Sequence, residues 1–167
     1  MPTLDDKTLQ SRIESLDLEP IKFKLVREKS YDRTQVEALA KWYKRFLFLT
    51  FKYRGQSIVV CEGIDAFWHQ HILDTQKYAA DCNAVFGEFL HHFPYFGLRG
   101  DDDQQALVDA YKQSLSIMQK EFGETPEGDP AISMMHPVAE GASSCSDCDH
   151  VWLDGSDGHR NERPRFV

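Results

Sequence analysis

The sequence predicts an all-α protein: a compact helical bundle followed by an irregular C-terminal tail. Apolar residues recur at three- and four-residue spacing over much of residues 1–123, which is the period of an amphipathic helix. The alternation of apolar and polar residues that is typical of strands is weak throughout the chain. Hydrophobic residues make up 41% of the 167 positions, which suits one domain with its own core.

The first three helices follow from apolar spacing and from acidic residues at helix starts. Apolar side chains at positions 4, 13, 16 and 18 indicate a short first helix, with Asp5 and Asp6 at its N-terminal end. A second element over residues 21–27 is too short to separate by pattern and can extend the first helix beyond Pro20. Asp32 opens a longer third helix, whose apolar residues are Val36, Leu39, Ala40, Tyr43, Phe46, Leu47 and Thr50.

Two further helices complete the predicted bundle. Residues 65–86 contain neither glycine nor proline, so the pattern predicts one uninterrupted helix that stops at Gly87. After a turn, one of the three aspartates at positions 101–103 can cap a last helix. Both helices carry apolar residues at helical spacing, which we expect to pack against the first three.

The composition changes after Gly123, where Gly, Ser, Asp, Pro and His become frequent. This part of the chain lacks the periodicity that is needed to build a core of its own. We therefore predict a helical domain over residues 1–123 and a poorly regular tail over residues 124–167.

Charge and hydropathy exclude several classes of protein. The net charge of −8 and the pI of about 5.3 argue against a nucleic-acid partner, because phosphate contacts require a basic face. The sequence has no long apolar span and no signal-peptide pattern, so we expect no membrane association and a cytoplasmic location. In that compartment the four cysteines are expected to be thiols or metal ligands rather than disulfides.

Four of the seven histidines lie between positions 69 and 92, among aromatic residues. Imidazoles, thiolates and carboxylates are the groups that bind divalent transition metals in proteins. We therefore expect a zinc, copper or iron ion, with candidate ligands His69, His71, His91, His92 and Cys82. Asp65, Asp74 and Tyr78 could orient these ligands or handle protons.

The helical period divides these candidates into two ligand sets. Residues two apart on a helix lie on arcs roughly 160° apart, so His69 and His71 cannot readily bind the same ion. One set joins His71 and Cys82 to an imidazole from position 91 or 92. The other joins Asp65 and His69, four residues apart on one face, to such an imidazole, with Glu62 within reach.

Only one of the adjacent imidazoles at positions 91 and 92 is expected at any one site, because neighbouring side chains usually point apart. An interpretation without a metal also remains open. In that case the histidines form a buried polar network, Cys82 is a small core residue, and the Asp65–His69 pair only orders the helix start.

The preferred function is metal binding of undetermined activity. The first alternative is a metal-dependent enzyme that uses an open coordination position. The second is an interaction module, in which residues 92–96 (His-Phe-Pro-Tyr-Phe) form an exposed aromatic patch for a protein or peptide partner. The sequence contains no G-x-S-x-G, G-x-x-x-x-G-K-[ST], G-x-G-x-x-G or H-E-x-x-H motif, so phosphate-cradling loops and dinucleotide binding are not expected.

The tail carries a second candidate metal site, formed by Cys145, Cys148 and His150. A C-x-x-C pair supplies two thiolates at a spacing that zinc accepts. A redox pair would place the motif at a helix start after a strand, and neither pattern is evident. A solvated tail with incidental cysteines is the remaining interpretation.

Two stretches of the sequence resemble one known family. They are D-x-F-W-H-Q-H-I-L-D-T-x-x-Y-x-x-D-C, which ends at Cys82, and F-G-E-F-L-H-H-F-P-Y-F-G, which follows it. Both are similar to the glycine-rich domain-containing protein family, over residues 16–123. The residues that match its core are Asp65, Trp68, His69, His71, Asp74, Tyr78 and Cys82. The resemblance implies no specific activity, and this tail is shorter and less glycine-rich than the extension found in that family.

Overall fold

The computed structural model describes residues 4–133, 150–152 and 163, and it confirms the predicted all-α architecture. Within these residues there are seven α-helices, one 3₁₀ turn and two short strands. In chain order they are α1 (Asp6–Glu14), α2 (Glu19–Glu28), α3 (Arg33–Lys52), α4 (Glu62–Leu73), α5 (Thr75–Phe86), β1 (His91–Phe93), α6 (Asp101–Phe122), the 3₁₀ turn (Pro126–Gly128), α7 (Pro130–Ser133) and β2 (His150–Trp152).

The N-terminal segment forms two helices rather than one extended helix. Asp5 caps α1, as predicted, by accepting hydrogen bonds from the backbone N–H groups of Lys7 and Thr8. Pro20 lies in the first turn of α2, where its missing N–H has no helical partner to lose. The proline therefore starts a new helix.

The central helix is α3, which packs against α1, α2, α4 and α7. It begins with a reciprocal capping box, in which Asp32 accepts from the Gln35 backbone and the Gln35 side chain accepts from the Asp32 backbone. The predicted apolar face is buried, with Tyr43 and Phe46 as its largest side chains, and Trp42, which was not predicted to belong to it, is buried as well. The core of the bundle therefore follows the length of this helix.

The prediction of one helix over residues 65–86 is wrong. The backbone leaves helical geometry at Asp74 (φ −85°, ψ 72°), which ends α4 and caps α5 through the backbone N–H of Lys77. The chain turns sharply here, because His71 Nε2 lies only 2.9 Å from Asp81 Oδ2. Ten residues along a continuous helix would be separated by about 15 Å. The predicted stop at Gly87 is confirmed, since this residue adopts the left-handed conformation at the end of α5.

The start of α6 also differs from the prediction. Its N-cap is Gly100, and no aspartate side chain caps the helix. The carboxylate of Asp103 instead accepts hydrogen bonds from the backbone N–H groups of Gly97 and Arg99, which lie in the preceding turn. This carboxylate therefore fixes the turn that joins β1 to α6.

Packing against the bundle continues after Gly123. Asp129 accepts a hydrogen bond from the indole of Trp42 at 3.1 Å, and Ile132 of α7 is buried in the core. Helical structure between Pro126 and Ser133 was not predicted, because four-residue helices carry no periodic signal. The division of the chain into a domain and a tail at Gly123 stays a prediction.

The two strands pair in antiparallel register, with His92 opposite Val151. Neither strand was predicted. Three residues are too few to show an alternating pattern, and the partner strand is distant in the sequence. No helix within the described residues has the length and apolar character needed to cross a membrane.

Candidate metal centre

Asp65, His69 and His92 come together at one edge of the bundle. Each offers one ligand atom, and these atoms all lie within 4.8 Å of one another. Two of the residues are four apart on α4, a spacing that places their side chains on the same helical face. The third comes from β1. This is the second of the two ligand sets described above, with position 92 as the source of its imidazole.

Direct contacts link all three residues. The Nδ1 atom of His69 lies 2.9 Å from Asp65 Oδ2 and 2.8 Å from the backbone oxygen of Asp65. The Nε2 atom of His92 lies 3.8 Å from Asp65 Oδ1. The carboxylate of Asp65 therefore lies between the two imidazoles, with one oxygen towards each.

The carboxylate of Asp65 is buried but incompletely hydrogen-bonded. The residue is only 6% exposed, and no hydrogen-bond donor within the described residues reaches its Oδ1 atom. A buried charged oxygen without a donor or a cation costs on the order of 1–3 kcal/mol or more. The arrangement could therefore accept a positive ion at this oxygen.

His92 is directed towards α4 by the geometry of β1. Successive side chains of a strand point to opposite faces, so His91 and His92 diverge. His91 is exposed and its ring packs against Phe89, with 5.0 Å between ring centroids. The His92 ring lies 4.5 Å from the Trp68 ring and 4.5 Å from the His69 ring, measured between centroids. Within the described residues, His92 is the imidazole of the adjacent pair that reaches the cluster.

The backbone of β1 is held in place on both sides of His92. On the N-terminal side, the carbonyl of Leu90 accepts a hydrogen bond of 2.6 Å from the Tyr78 hydroxyl. On the C-terminal side, Phe93 is buried, and the guanidinium of Arg99 lies 5.2 Å from its ring centroid. These contacts leave the segment that carries His92 little freedom to move.

His71 lies in a separate, closed network. Its Nδ1 atom is 2.9 Å from the Tyr43 hydroxyl and its Nε2 atom is 2.9 Å from Asp81 Oδ2. Burial lowers the pKa of His71, although the neighbouring Asp81 opposes this shift, so the ring is neutral at neutral pH. The consistent assignment has the Tyr43 O–H donating to Nδ1 and the ring N–H at Nε2 donating to Asp81. Both ring nitrogens are therefore already engaged.

The other members of the first ligand set are also occupied elsewhere. Cys82 is buried in the core, and burial raises the pKa of its thiol, which favours the protonated form. Asp74 caps α5, and the hydroxyl of Tyr78 is bonded to Leu90 and Trp68. The structure thus does not bring the first ligand set together, while any metal role for these side chains stays a prediction.

Two partners of His71 were missed by the sequence analysis. They are Tyr43, which was predicted only as a core residue, and Asp81. No signal in the sequence could have found Asp81, because its contact with His71 exists only where the chain turns at Asp74.

The tail candidates are only partly described. Cys145 and Cys148 lie outside the described residues, and for His150 the structure describes the backbone, which pairs with Phe93. The second metal site therefore stays a prediction.

The aromatic patch predicted over residues 92–96 is less exposed than expected. Phe93 is buried, whereas Tyr95 and Phe96 are half-buried. The protein or peptide partner that the patch was expected to bind stays a prediction.

Comparison with known protein families finds one family that matches this chain. The UCP032817-like family matches residues 10–121, which is more than half of the sequence. The chain belongs to the UCP032817-like family. The resemblance to the glycine-rich domain-containing protein family is therefore wrong as an assignment of membership. Several residues that carried it, such as Trp68 and Tyr78, are buried core residues whose packing role is not specific to one family. No curated protein and no solved structure matches this UCP032817-like chain.

Proposed function

We propose that this protein binds one divalent transition-metal ion through Asp65, His69 and His92. The observation that carries the proposal is the buried Asp65 carboxylate, whose Oδ1 atom has no hydrogen-bond donor within the described residues. Two imidazoles flank the same carboxylate. A cation bound among the three side chains would compensate the buried charge, and their ligand atoms already lie within 4.8 Å of one another.

The distances are compatible with one ion. Two ligand atoms about 2.1 Å from a metal lie about 3.0 Å apart at a right angle and about 3.4 Å apart at the tetrahedral angle. The separations of 2.9 Å from His69 Nδ1 to Asp65 Oδ2 and 3.8 Å from His92 Nε2 to Asp65 Oδ1 bracket these values. Small side-chain rotations would therefore complete the coordination. Metal binding at His69 Nδ1 would place the ring proton on Nε2, and protonation of the imidazole ligands at acid pH would compete with the metal, so the affinity would fall.

The donor set favours iron(II) or zinc. Two imidazoles and one carboxylate form the facial triad that is typical of non-haem iron(II), and similar sets hold catalytic zinc. Copper(I) would be favoured by a thiolate, and the thiol of Cys82 lies outside this cluster. The proposed ion is therefore a borderline metal held by nitrogen and oxygen ligands.

A metal-dependent enzyme is the second candidate function. Three protein ligands leave at least one coordination position for water or a substrate, whereas structural zinc sites usually have four. The His69 side chain is 39% exposed, which gives the centre access to solvent. A bound metal would lower the pKa of a coordinated water and so supply a nucleophile.

The test is metal analysis of the full chain, purified without an affinity tag, stripped with a chelator and titrated with zinc(II), iron(II) and cobalt(II). We expect about one equivalent in the parent protein and its loss in the Asp65→Asn variant. The matched control is Asp81→Asn, because Asp81 is the carboxylate partner of the other buried histidine, His71. This control should retain the metal.

The outcomes separate the competing interpretations. A parent protein that binds none of the three ions would contradict the proposal and leave the cluster as a structural polar network. Loss of metal in Asp81→Asn but not in Asp65→Asn would move the site to His71. For the enzyme candidate, azide added to the cobalt-loaded protein should change the visible spectrum, since an open position accepts an anion. An unchanged spectrum would instead indicate closed coordination.

A further inference from the structure

The hydroxyl of Tyr78 connects two groups that border His92. It donates a hydrogen bond of 2.6 Å to the carbonyl of Leu90 and accepts one of 3.0 Å from the indole Nε1–H of Trp68. Tyr78 comes from α5, Trp68 from α4, and Leu90 precedes β1. One oxygen atom therefore joins α5 to α4 and to the segment that leads into β1.

Both bonded groups act on the position of the same imidazole. Leu90 lies two residues before His92, so the bond to its carbonyl fixes the path of the chain into β1. The Trp68 ring lies 4.5 Å from the His92 ring between centroids and limits how that ring can turn. Trp68 also precedes His69 directly on α4. The hydroxyl thus constrains the backbone that carries one proposed ligand and a ring that packs against it.

The protonation state of Tyr78 suits this role. The side chain is 1% exposed, and burial raises the pKa of its hydroxyl well above the ordinary value. It therefore remains a donor across the physiological pH range. The aromatic ring has separate contacts, with the rings of His71 and Phe89 at 5.0 and 5.2 Å between centroids. A Tyr78→Phe substitution would keep these ring contacts and remove only the hydroxyl.

We propose that Tyr78 is a positioning residue for the metal centre, setting the orientation of His92 without touching the ion. This inference rests on the metal site proposed above and assigns the residue that pre-forms it. Groups behind metal ligands typically change metal affinity by about 10–100-fold when removed, because the ligands must then be ordered at the moment of binding.

The experiment compares Tyr78→Phe with Ser114→Ala in the full chain. Ser114 is a suitable control because its buried hydroxyl bonds to Ala110 and Val59, and it has no bond to the cluster. Both variants lose one buried hydroxyl. We expect the dissociation constant for zinc to rise about tenfold in Tyr78→Phe and less than about twofold in Ser114→Ala. The cobalt spectrum should shift only in the first variant.

A second variant and a second measurement keep the inference testable if Tyr78→Phe does not fold. Trp68→Phe keeps an aromatic ring beside His92 but lacks the indole N–H, and a smaller rise in the dissociation constant is expected. The ring-proton NMR resonances of His92 should also move in folded, metal-free Tyr78→Phe, because the Trp68 ring current acts on them at short range.

These readouts distinguish the two proposals. A parent protein that binds metal, together with a Tyr78→Phe variant that binds it as tightly as Ser114→Ala does, would overturn the positioning role and leave the site intact. A parent protein that binds no metal would overturn the proposed function. In that case, unchanged His92 resonances in metal-free Tyr78→Phe would show independently that the hydroxyl does not set the orientation of the His92 ring.

Discussion

Two histidines that are two residues apart in the sequence lie in opposite environments. His71 is 1% exposed, and both of its ring nitrogens have hydrogen-bond partners. His69 has a side chain that is 39% exposed, and its Nδ1 atom lies against Asp65. A helix of 3.6 residues per turn directs one ring into the core and the other to the edge of the bundle.

Their carboxylate partners differ in the same way. Asp81 bonds to both His71 and Lys77, each at 2.9 Å, so its charge has a cation beside it. Asp65 is more deeply buried, and its Oδ1 atom has no hydrogen-bond donor within the described residues. The first network is complete and stabilises the packing of α4 against α5. In the second network, a bound cation would compensate the charge of the Asp65 oxygen that no donor within the described residues reaches.

The largest expected effect of this difference is on metal affinity. We predict that His69→Gln weakens zinc binding about 100-fold or more, because a proposed ligand is lost. His71→Gln should change it less than about threefold, since His71 belongs to the closed network. Competition with a chromophoric chelator measures both values. Equal losses in the two variants would remove the functional distinction between the two histidines.

The two substitutions should affect the stability of the protein in the opposite order to their effects on metal affinity. In metal-free protein, His71→Gln is expected to lower the free energy of unfolding by about 1–3 kcal/mol, because buried groups of Tyr43 and Asp81 lose their partner. His69→Gln should lower it less, because this side chain is 39% exposed and the substituted amide can still donate to Asp65. Urea unfolding with a chelator present gives both numbers. A larger loss in His69→Gln would show that the Asp65–His69 pair is the structural one.

The smallest effect concerns pH. Burial holds the pKa of His71 in the folded protein below its ordinary value of 6.5. Between the folded-state pKa and 6.5, the unfolded chain therefore binds a proton that the folded protein does not. This contribution to stability is complete above about pH 6.5 and is lost as the pH falls towards the folded-state pKa, by at most about 1.4 kcal/mol per pH unit.

The measurement is urea unfolding between about pH 5 and pH 7.5, in metal-free parent protein and in both variants. The part of the slope that belongs to His71 should disappear in His71→Gln and persist in His69→Gln. An identical slope in the parent protein and His71→Gln would mean that this ring titrates equally in the folded and unfolded states.

Local patterns were sufficient for much of the fold. The capping residues Asp5 and Asp32 and the stop at Gly87 were predicted, because capping and left-handed termini depend on a few neighbouring atoms. The break at Asp74 was not predicted, since the residues on both sides favour a helix. The bonds that the turn permits, from Trp68 to Tyr78 and from His71 to Asp81, join residues ten apart and leave no periodic signal.

The candidate site shows the same division. The four-residue spacing was enough to place Asp65 and His69 together, because the helical period alone sets that contact. The sequence left both His91 and His92 as candidates for the third position. The structure brings His92 to the cluster because β1 is fixed by Leu90 on one side and by Phe93 on the other.

The sequence by itself determined that this chain is helical, where α1 and α3 begin and where α5 ends, and that histidines and carboxylates gather between α4 and β1. Only the tertiary structure decided which of them meet. Hydrogen bonds within a helix are local, so a pattern of neighbouring residues encodes them. Contacts across the turn at Asp74 and between α4 and β1 depend on how whole elements pack, which is decided by the sum of the buried contacts rather than by any short stretch of sequence.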